Sequence, residues 1–114
     1  MKEFMFLLWG GYPDPSLSPE QMQRHMQKWT AWVEQLAESG RLRSGLPLER
    51  AGKLVSGPNK LVTDGPFPEA KEVVGGYFII SAHDINEAVE ISKGCPIFAD
   101  GGAVEVRPIM EMSM

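Results

Sequence analysis

Two segments of the chain are apolar at almost every position, and this feature constrains the fold more than any other. In an extended strand from Lys2 to Trp9, successive side chains point to opposite faces, and both faces are apolar. Val73 to Ser81 has the same character apart from Gly75 and Gly76. Strands that are apolar on both faces are covered on both sides. We therefore predict that these two segments are the central strands of a sheet.

Two further segments alternate between apolar and polar residues, which is typical of edge strands. Arg41 to Leu48 alternates and contains Pro47, a residue that central strands avoid. Ala103 to Ile109 alternates around Val104 and Val106. Between the first edge strand and the second apolar segment, Lys53–Val55 and Lys60–Val62 flank a Ser-Gly-Pro-Asn turn, so we predict a small hairpin there.

Two helices complete the predicted elements. Ser18, Pro19 and Gln21 are typical of a capping box that begins a helix, and Gly40 is suited to its end. Within this helix, apolar residues recur at helical spacing and predict one buried stripe: Met22, Met26, Trp29, Val33 and Leu36. A shorter helix is expected from Asp84 to Lys93, ended by Gly94.

The order β-α-β-(hairpin)-β-α-β predicts an α+β fold of the ferredoxin-like βαββαβ type with an extra β-hairpin. Its sheet order would be 4-1-3-2, which places the two apolar strands in the middle. Both helices would cover one face, and the apolar residues on the other face would be exposed. We expect a second copy to cover that face, giving a homodimer of the dimeric α/β-barrel type. The alternative is a monomer with a pocket over that face.

Length and composition restrict the functional classes. The 114 residues suit a single domain, 1–114, and the net charge of −4 makes direct nucleic-acid binding unfavourable. Cys95 is the one cysteine, so no internal disulfide can form, and no Cys/His array predicts a metal site. The N-terminal apolar run is too short to cross a membrane. We expect a cytoplasmic protein that uses no cofactor.

A combination of motifs extends over nearly the whole chain. Asp64-Gly65-Pro66-Phe67 is followed by the apolar strand from Glu72 to Ile80. Met22-Gln23-Arg24-His25 lies in the first helix, and Val104-Glu105-Val106-Arg107-Pro108 in the last strand. Over roughly residues 2 to 109 the chain resembles the DGPF branch of the YCII-related family.

This resemblance implies a ferredoxin-like dimeric barrel with a site centred on a histidine of the first helix. It also implies an aspartate partner for that histidine. Other YCII members carry an Asp-Pro pair before the last strand, where this chain reads Gly94-Cys95-Pro96, so Asp64 is the nearest substitute. Some relatives look like lyases that act on small ring compounds, and DGPF domains are associated with sigma-factor-like regulators.

His25 and Asp64 are the candidate catalytic residues. His25 lies at the edge of the apolar helix stripe, where an imidazole could accept and donate protons at neutral pH. The competing interpretation is a buried histidine that bonds a backbone carbonyl. Asp64 could orient His25 or hold a substrate, or it could simply bond the backbone of its own turn.

The remaining candidates would bind a ligand. Trp9 and Trp29 could line an apolar pocket or belong to the core, and Tyr12 could donate a hydrogen bond at its rim. Gly65, Pro66 and Phe67 would form a rigid wall. Arg107 could hold a carboxylate in a forked contact, or it could pair with Glu105 or Glu72. Cys95 is expected to be an inert, packed thiol.

Three functions remain open at this level. The first is a cofactor-free acid/base lyase or isomerase that acts on a small organic acid or lactone through His25. The second is a small-ligand binding module without turnover. The third is a transcription-associated interaction module that acts through its dimer surface.

Overall fold

The computed structural model describes residues 1–64 and 73–112. Their helices and strands follow the predicted order, with one short helix added: β1 Lys2–Trp9, α1 Pro19–Glu38, β2 Leu42–Pro47, β3 Lys53–Ser56, β4 Leu61–Asp64, β5 Val74–Ala82, α2 Ile85–Ser92, a 3-10 helix Pro96–Asp100, and β6 Ala103–Pro108.

Four strands form an antiparallel sheet in the order β2-β5-β1-β6. This is the predicted ferredoxin-like order read from the opposite edge, with the two apolar strands in the middle. In the central register, Phe6 lies opposite Phe78 on one side and Val106 on the other. The α+β, ferredoxin-like prediction is confirmed, and β3 and β4 form the additional hairpin.

The first helix begins and ends where its sequence predicts. The Ser18 hydroxyl accepts from the Gln21 backbone N–H at 3.1 Å, and the Ser18 N–H donates to the Gln21 side chain at 2.9 Å. After Glu38 the chain turns through Gly40, whose φ of +75° is a conformation that glycine adopts without steric cost. This capping fixes the start of a helix that carries His25 in its second turn.

The core lies between the helices and one face of the sheet. Its members are mostly apolar residues of β1, α1 and β5: Phe4, Phe6, Leu8, Trp32, Leu36, Ile80, Ala82, Ala88, Cys95 and Ile97. Trp32 packs edge-on against Phe78, with ring centroids 5.3 Å apart. The buried part of α1 therefore differs from the predicted stripe, because Trp32 is 6% exposed and Met26 is 55% exposed. Met26 borders a cavity instead of packing in the core.

Apolar residues also occupy the other face of the sheet. The half-buried side chains there belong to the alternate positions of the two central strands: Met5, Leu7, Trp9, Tyr77 and Ile79. The β3–β4 hairpin, which forms a separate two-stranded sheet, also exposes apolar side chains: Leu54, Val55, Leu61 and Val62. None of the helices in residues 1–64 and 73–112 is long and apolar enough to cross a membrane.

Candidate functional site

A cavity of about 410 Å³ lies between α1 and the helix-covered face of the sheet. Its floor comes from β1, β2 and β5, one wall from α1, and one end from the loop after β1. Most of the lining is apolar: Leu8, Pro13, Met26, Trp29, Val33, Leu46, Pro47, Phe78 and Ile97. The described lining also contains His25 and Tyr12 but no lysine or arginine. A small, largely apolar ligand fits such a cavity.

Two loops meet at Ile97 and close one end of the cavity. Gly10 and Gly11 have φ values of +66° and +73°, and a Cβ on Gly11 would overlap the Ile97 side chain. A Cβ on Gly102 would lie 2.5 Å from Ile97 Cγ1 and 2.8 Å from the Trp9 carbonyl oxygen. Glycine is therefore required for the loops to approach this closely. Their contact fixes Tyr12 in one loop relative to Asp100 in the other.

His25 is paired with Asp100 at 2.6 Å between Nε2 and Oδ2. The two residues are 75 positions apart in sequence, and their side chains are 15% and 20% exposed. Asp100 ends the 3-10 helix, where Gly101 in the left-handed region turns the chain into β6. An ionised carboxylate can only accept hydrogen bonds, so it favours the imidazole tautomer with the proton on Nε2. In this tautomer Nδ1 carries a lone pair and no proton.

Two buried side-chain atoms lack a hydrogen-bond partner in the part of the chain that the structure describes. They are His25 Nδ1 and the Tyr12 hydroxyl. Both residues line the same cavity. Leaving a buried polar group unpaired costs about 1–3 kcal/mol, so such groups are uncommon in folded proteins. These two atoms are therefore the candidates for hydrogen bonds with a ligand in this cavity.

The Tyr12 ring is held from two sides. A Cβ on Gly75 would lie 3.3 Å from both Tyr12 Cζ and its hydroxyl oxygen, so the glycine in β5 leaves room for the ring. The guanidinium carbon of Arg50 lies 5.4 Å from the ring centroid, in cation–π contact. The phenol is therefore fixed at the cavity without using its hydroxyl group.

The structure gives His25 a partner other than Asp64. Asp64 lies at the end of β4 with a side chain that is 79% exposed, and it pairs with Lys53 across the hairpin. The expected His25–Asp64 contact is thus corrected to His25–Asp100. The β3–β4 register accounts for the position of Asp64, because it places Asp64 directly opposite Lys53. A role for Asp64 in holding a substrate stays a prediction.

Three of the predicted site residues line the cavity: His25, Tyr12 and Trp29. Two others lie outside its described lining. Trp9 donates its indole N–H to Glu105 at 2.9 Å, and Arg107 is 3.8 Å from the same glutamate with a side chain that is 69% exposed. Glu105 pairs in register with Leu7 of β1, so it projects from the face that the helices do not cover. Gly65, Pro66 and Phe67 lie outside the described residues.

The sequence reasoning missed Asp100, although a signal for it exists. Asp100 stands before Gly101 and Gly102, just as Asp64 stands before Gly65. An aspartate before glycine is typical of a turn, and this turn directly precedes the last strand. That is the region where the resemblance placed the aspartate partner, so position in the fold would have favoured Asp100.

Cys95 does not belong to the reactive part of the site. It is buried in the core, and this burial raises the pKa of its thiol to about 11. The thiol is thus protonated at neutral pH. Among the described residues, no group of three or more His, Cys, Asp or Glu side chains is arranged to hold a metal ion.

Comparison with known proteins shows which fold and which family the chain shares with them. Among solved structures, the chain is similar to a 5-chloro-2-hydroxyhydroquinone dehydrochlorinase from Burkholderia phenoliruptrix, in complex with 2,5-dihydroxybenzoquinone. The TM-score is 0.50 at 16% sequence identity, over 96% of this chain and 95% of that one, so the likeness concerns the fold. Among curated proteins, none matches the sequence. The model of the YCII-related domain matches residues 5–113, and the chain belongs to this family.

Proposed function

We propose that the protein is a cofactor-free acid/base enzyme, a lyase or isomerase, that acts on a small organic compound in the cavity. The observation that carries this proposal is the paired His25–Asp100 with an unpartnered Nδ1 in a largely apolar cavity. A histidine oriented by a carboxylate is a common general base. The dehydrochlorinase with a similar fold is a protein that acts on a small ring compound, which supports this choice.

In the proposed reaction, His25 Nδ1 takes a proton from a substrate carbon next to a carbonyl group. The electron pair of the broken C–H bond moves towards the carbonyl oxygen. In a lyase, the pair then returns from the oxygen to form a double bond to the neighbouring carbon, which releases its leaving group with the electrons of the broken bond, and the proton on Nδ1 passes to the leaving group or to water. In an isomerase, the protonated Nδ1 returns its proton to a different carbon. Asp100 stabilises the imidazolium that forms in either case.

The test is turnover of a panel of lactones and of hydroxylated or halogenated ring compounds in deuterated water, followed by proton NMR. We expect wild type to convert or deuterate at least one compound. His25→Gln should lower the rate about 100- to 10,000-fold, the usual contribution of a general base. His83→Gln is the matched control, because His83 is exposed and does not line the cavity in the described structure. Equal rates for wild type and His25→Gln would refute the role of His25.

The alternative is a non-catalytic small-ligand binding module, which the apolar cavity would also serve. In that case, compounds bind without conversion, and His25→Gln weakens binding alone. A transcription-associated interaction module is the remaining candidate. It would bind a protein partner and none of the compounds in the panel.

We also propose that the protein is a homodimer. The sheet face with Met5, Leu7 and Ile79 has no described helix over it, and covering it with a second copy would remove apolar surface from water. Within the family, the Asp64–Phe67 motif supports assignment to the DGPF branch.

A further inference from the structure

The unpartnered Tyr12 hydroxyl is not explained by the proposed role of His25. Its oxygen is buried, it has no hydrogen-bond partner among the described residues, and the residue lines the cavity that His25 also lines. The aromatic ring of Tyr12 needs no hydroxyl group to pack against Gly75 or Arg50. Phenylalanine would fill the same space without burying an unpaired hydroxyl group. No residue in the described ranges supplies a partner for this hydroxyl group, and a ligand in the cavity is the partner that we consider.

We infer that Tyr12 donates a hydrogen bond to an oxygen of the substrate while His25 Nδ1 removes a proton from the adjacent carbon. This inference rests on the proposed function. The electron pair released by proton removal accumulates on the substrate oxygen. A donor held against that oxygen stabilises the enolate more than the neutral carbonyl, and this difference lowers the reaction barrier. Tyr12 is thus a substrate-binding and catalytic residue.

The position of Tyr12 suits a preorganised donor. Its loop begins with Gly10, whose N–H donates to the Val73 carbonyl at 2.8 Å, and continues through Gly11, which packs on Ile97. The Tyr12 ring lies between Gly75 and the Arg50 guanidinium. The hydroxyl group is consequently held in place before a substrate arrives, which is what electrostatic stabilisation requires.

The same cavity specifies the chemical class of the substrate. Its described lining offers one base, one hydroxyl donor and otherwise apolar or backbone surface, with no lysine or arginine to pair with a carboxylate. Burying an unpaired carboxylate is unfavourable. The substrate class is therefore a neutral ring compound with an acidic hydrogen next to a carbonyl or enol carbon. A lactone fits this description, whereas the carboxylate of a free organic acid would find no lysine or arginine in the described lining.

Three probes of similar size test the inference by binding alone. Phenol is a stable enol and imitates the intermediate, toluene replaces its hydroxyl group by a methyl group, and benzoate carries a carboxylate. Dissociation constants would be measured by NMR titration for wild type and Tyr12→Phe. We expect wild type to prefer phenol over both other probes. Tyr12→Phe should reduce the preference for phenol over toluene by roughly three- to tenfold, the effect of one hydrogen bond.

Toluene also serves as the folding control, because Tyr12→Phe should bind it as wild type does. A phenol-to-toluene ratio that is the same in both proteins would overturn the inference, as would a wild type that does not prefer phenol. Benzoate binding as tightly as phenol would overturn the substrate class. These results do not depend on turnover. If no compound is converted but Tyr12→Phe changes the phenol-to-toluene ratio, the proposed enzymatic function is wrong and Tyr12 is still a hydrogen-bond donor to the ligand. If His25→Gln abolishes turnover and Tyr12→Phe does not change the ratio, only the proposed role of Tyr12 is wrong.

Discussion

At the scale of single residues, the tautomer of His25 decides which ring nitrogen can act as a base. The 2.6 Å contact with Asp100 favours the proton on Nε2. We expect ¹⁵N NMR of the neutral imidazole to show a protonated Nε2 and an unprotonated Nδ1 in wild type. Asp100→Ala should shift the ring towards a mixture of tautomers.

Asp64→Ala is the matched control, since Asp64 pairs with Lys53 in the described structure. It should leave the nitrogen signals of His25 unchanged. If Asp64→Ala altered the tautomer and Asp100→Ala did not, the assignment of the partner would be reversed. The two variants thus compare directly the partner expected from sequence with the partner found in the structure.

Cys95 gives a second prediction, based on its raised pKa. Burial raises this pKa to about 11, so at pH 8 roughly one thiol in a thousand is ionised. Because the thiolate is the reactive species, a disulfide reagent should label the native protein slowly and the denatured protein rapidly. The native rate should increase as the pH rises towards 11. Rapid labelling of the native protein at pH 8 would show that the thiol is accessible and ionised.

At the scale of elements, the glycines around Ile97 hold together the two loops that carry Tyr12 and Asp100. Gly102→Ala would place a Cβ 2.8 Å from the Trp9 carbonyl oxygen. Backbone must then move, and overpacking of this kind typically costs about 1–3 kcal/mol. We expect chemical denaturation to show a loss of this size, together with weaker binding of phenol as Asp100 and His25 shift.

Gly52→Ala is the control for this prediction. A Cβ at Gly52 would meet no atom within 4 Å, and its φ is not positive. Its free energy of unfolding should remain close to that of wild type. If Gly102→Ala and Gly52→Ala were equally stable, the close approach of the two loops would not be required for the fold.

The sequence predicted the regular elements well, because each carries its own local pattern. The apolar faces of β1 and β5, the capping box at Ser18 and the stop at Gly40 are all signals within a few residues of the element they define. The 3-10 helix at Pro96–Asp100 was not predicted, since five residues are too few to show a period. Elements with a local signal could be predicted, and this short connector could not.

The site was predicted less completely, for a related reason. His25 was identified through its helix position, but its partner lies 75 residues away, and only the packing of two loops brings them together. The face of α1 that lines the cavity was also misjudged. Met26 belongs to the apolar period, yet it borders the cavity and is 55% exposed. Helical periodicity shows which apolar residues share one face of α1. It does not show which of them pack in the core and which border a cavity.

At the scale of the whole molecule, the open sheet face leads to the prediction of a homodimer. Met5, Leu7 and Ile79 lie there half-buried, and no helix of the described chain covers them. We expect sedimentation equilibrium to give a dimer for wild type. Leu7→Arg should yield a monomer, because a buried charge without a partner opposes association.

The control is Val89→Arg, on the exposed side of α2, where Val89 is 37% exposed. Val89→Arg should remain dimeric, and both variants should keep the circular dichroism spectrum of wild type.

Binding of phenol by the Leu7→Arg monomer then distinguishes two arrangements of the site. If the affinity is retained, one chain holds the complete site between α1 and its own sheet. If the affinity is lost while the fold is intact, the partner chain supports the site, and the exposed apolar hairpin is the first segment to examine. A monomeric wild type would contradict the proposed homodimer, and the apolar sheet face would then not be an interface between two copies of the chain.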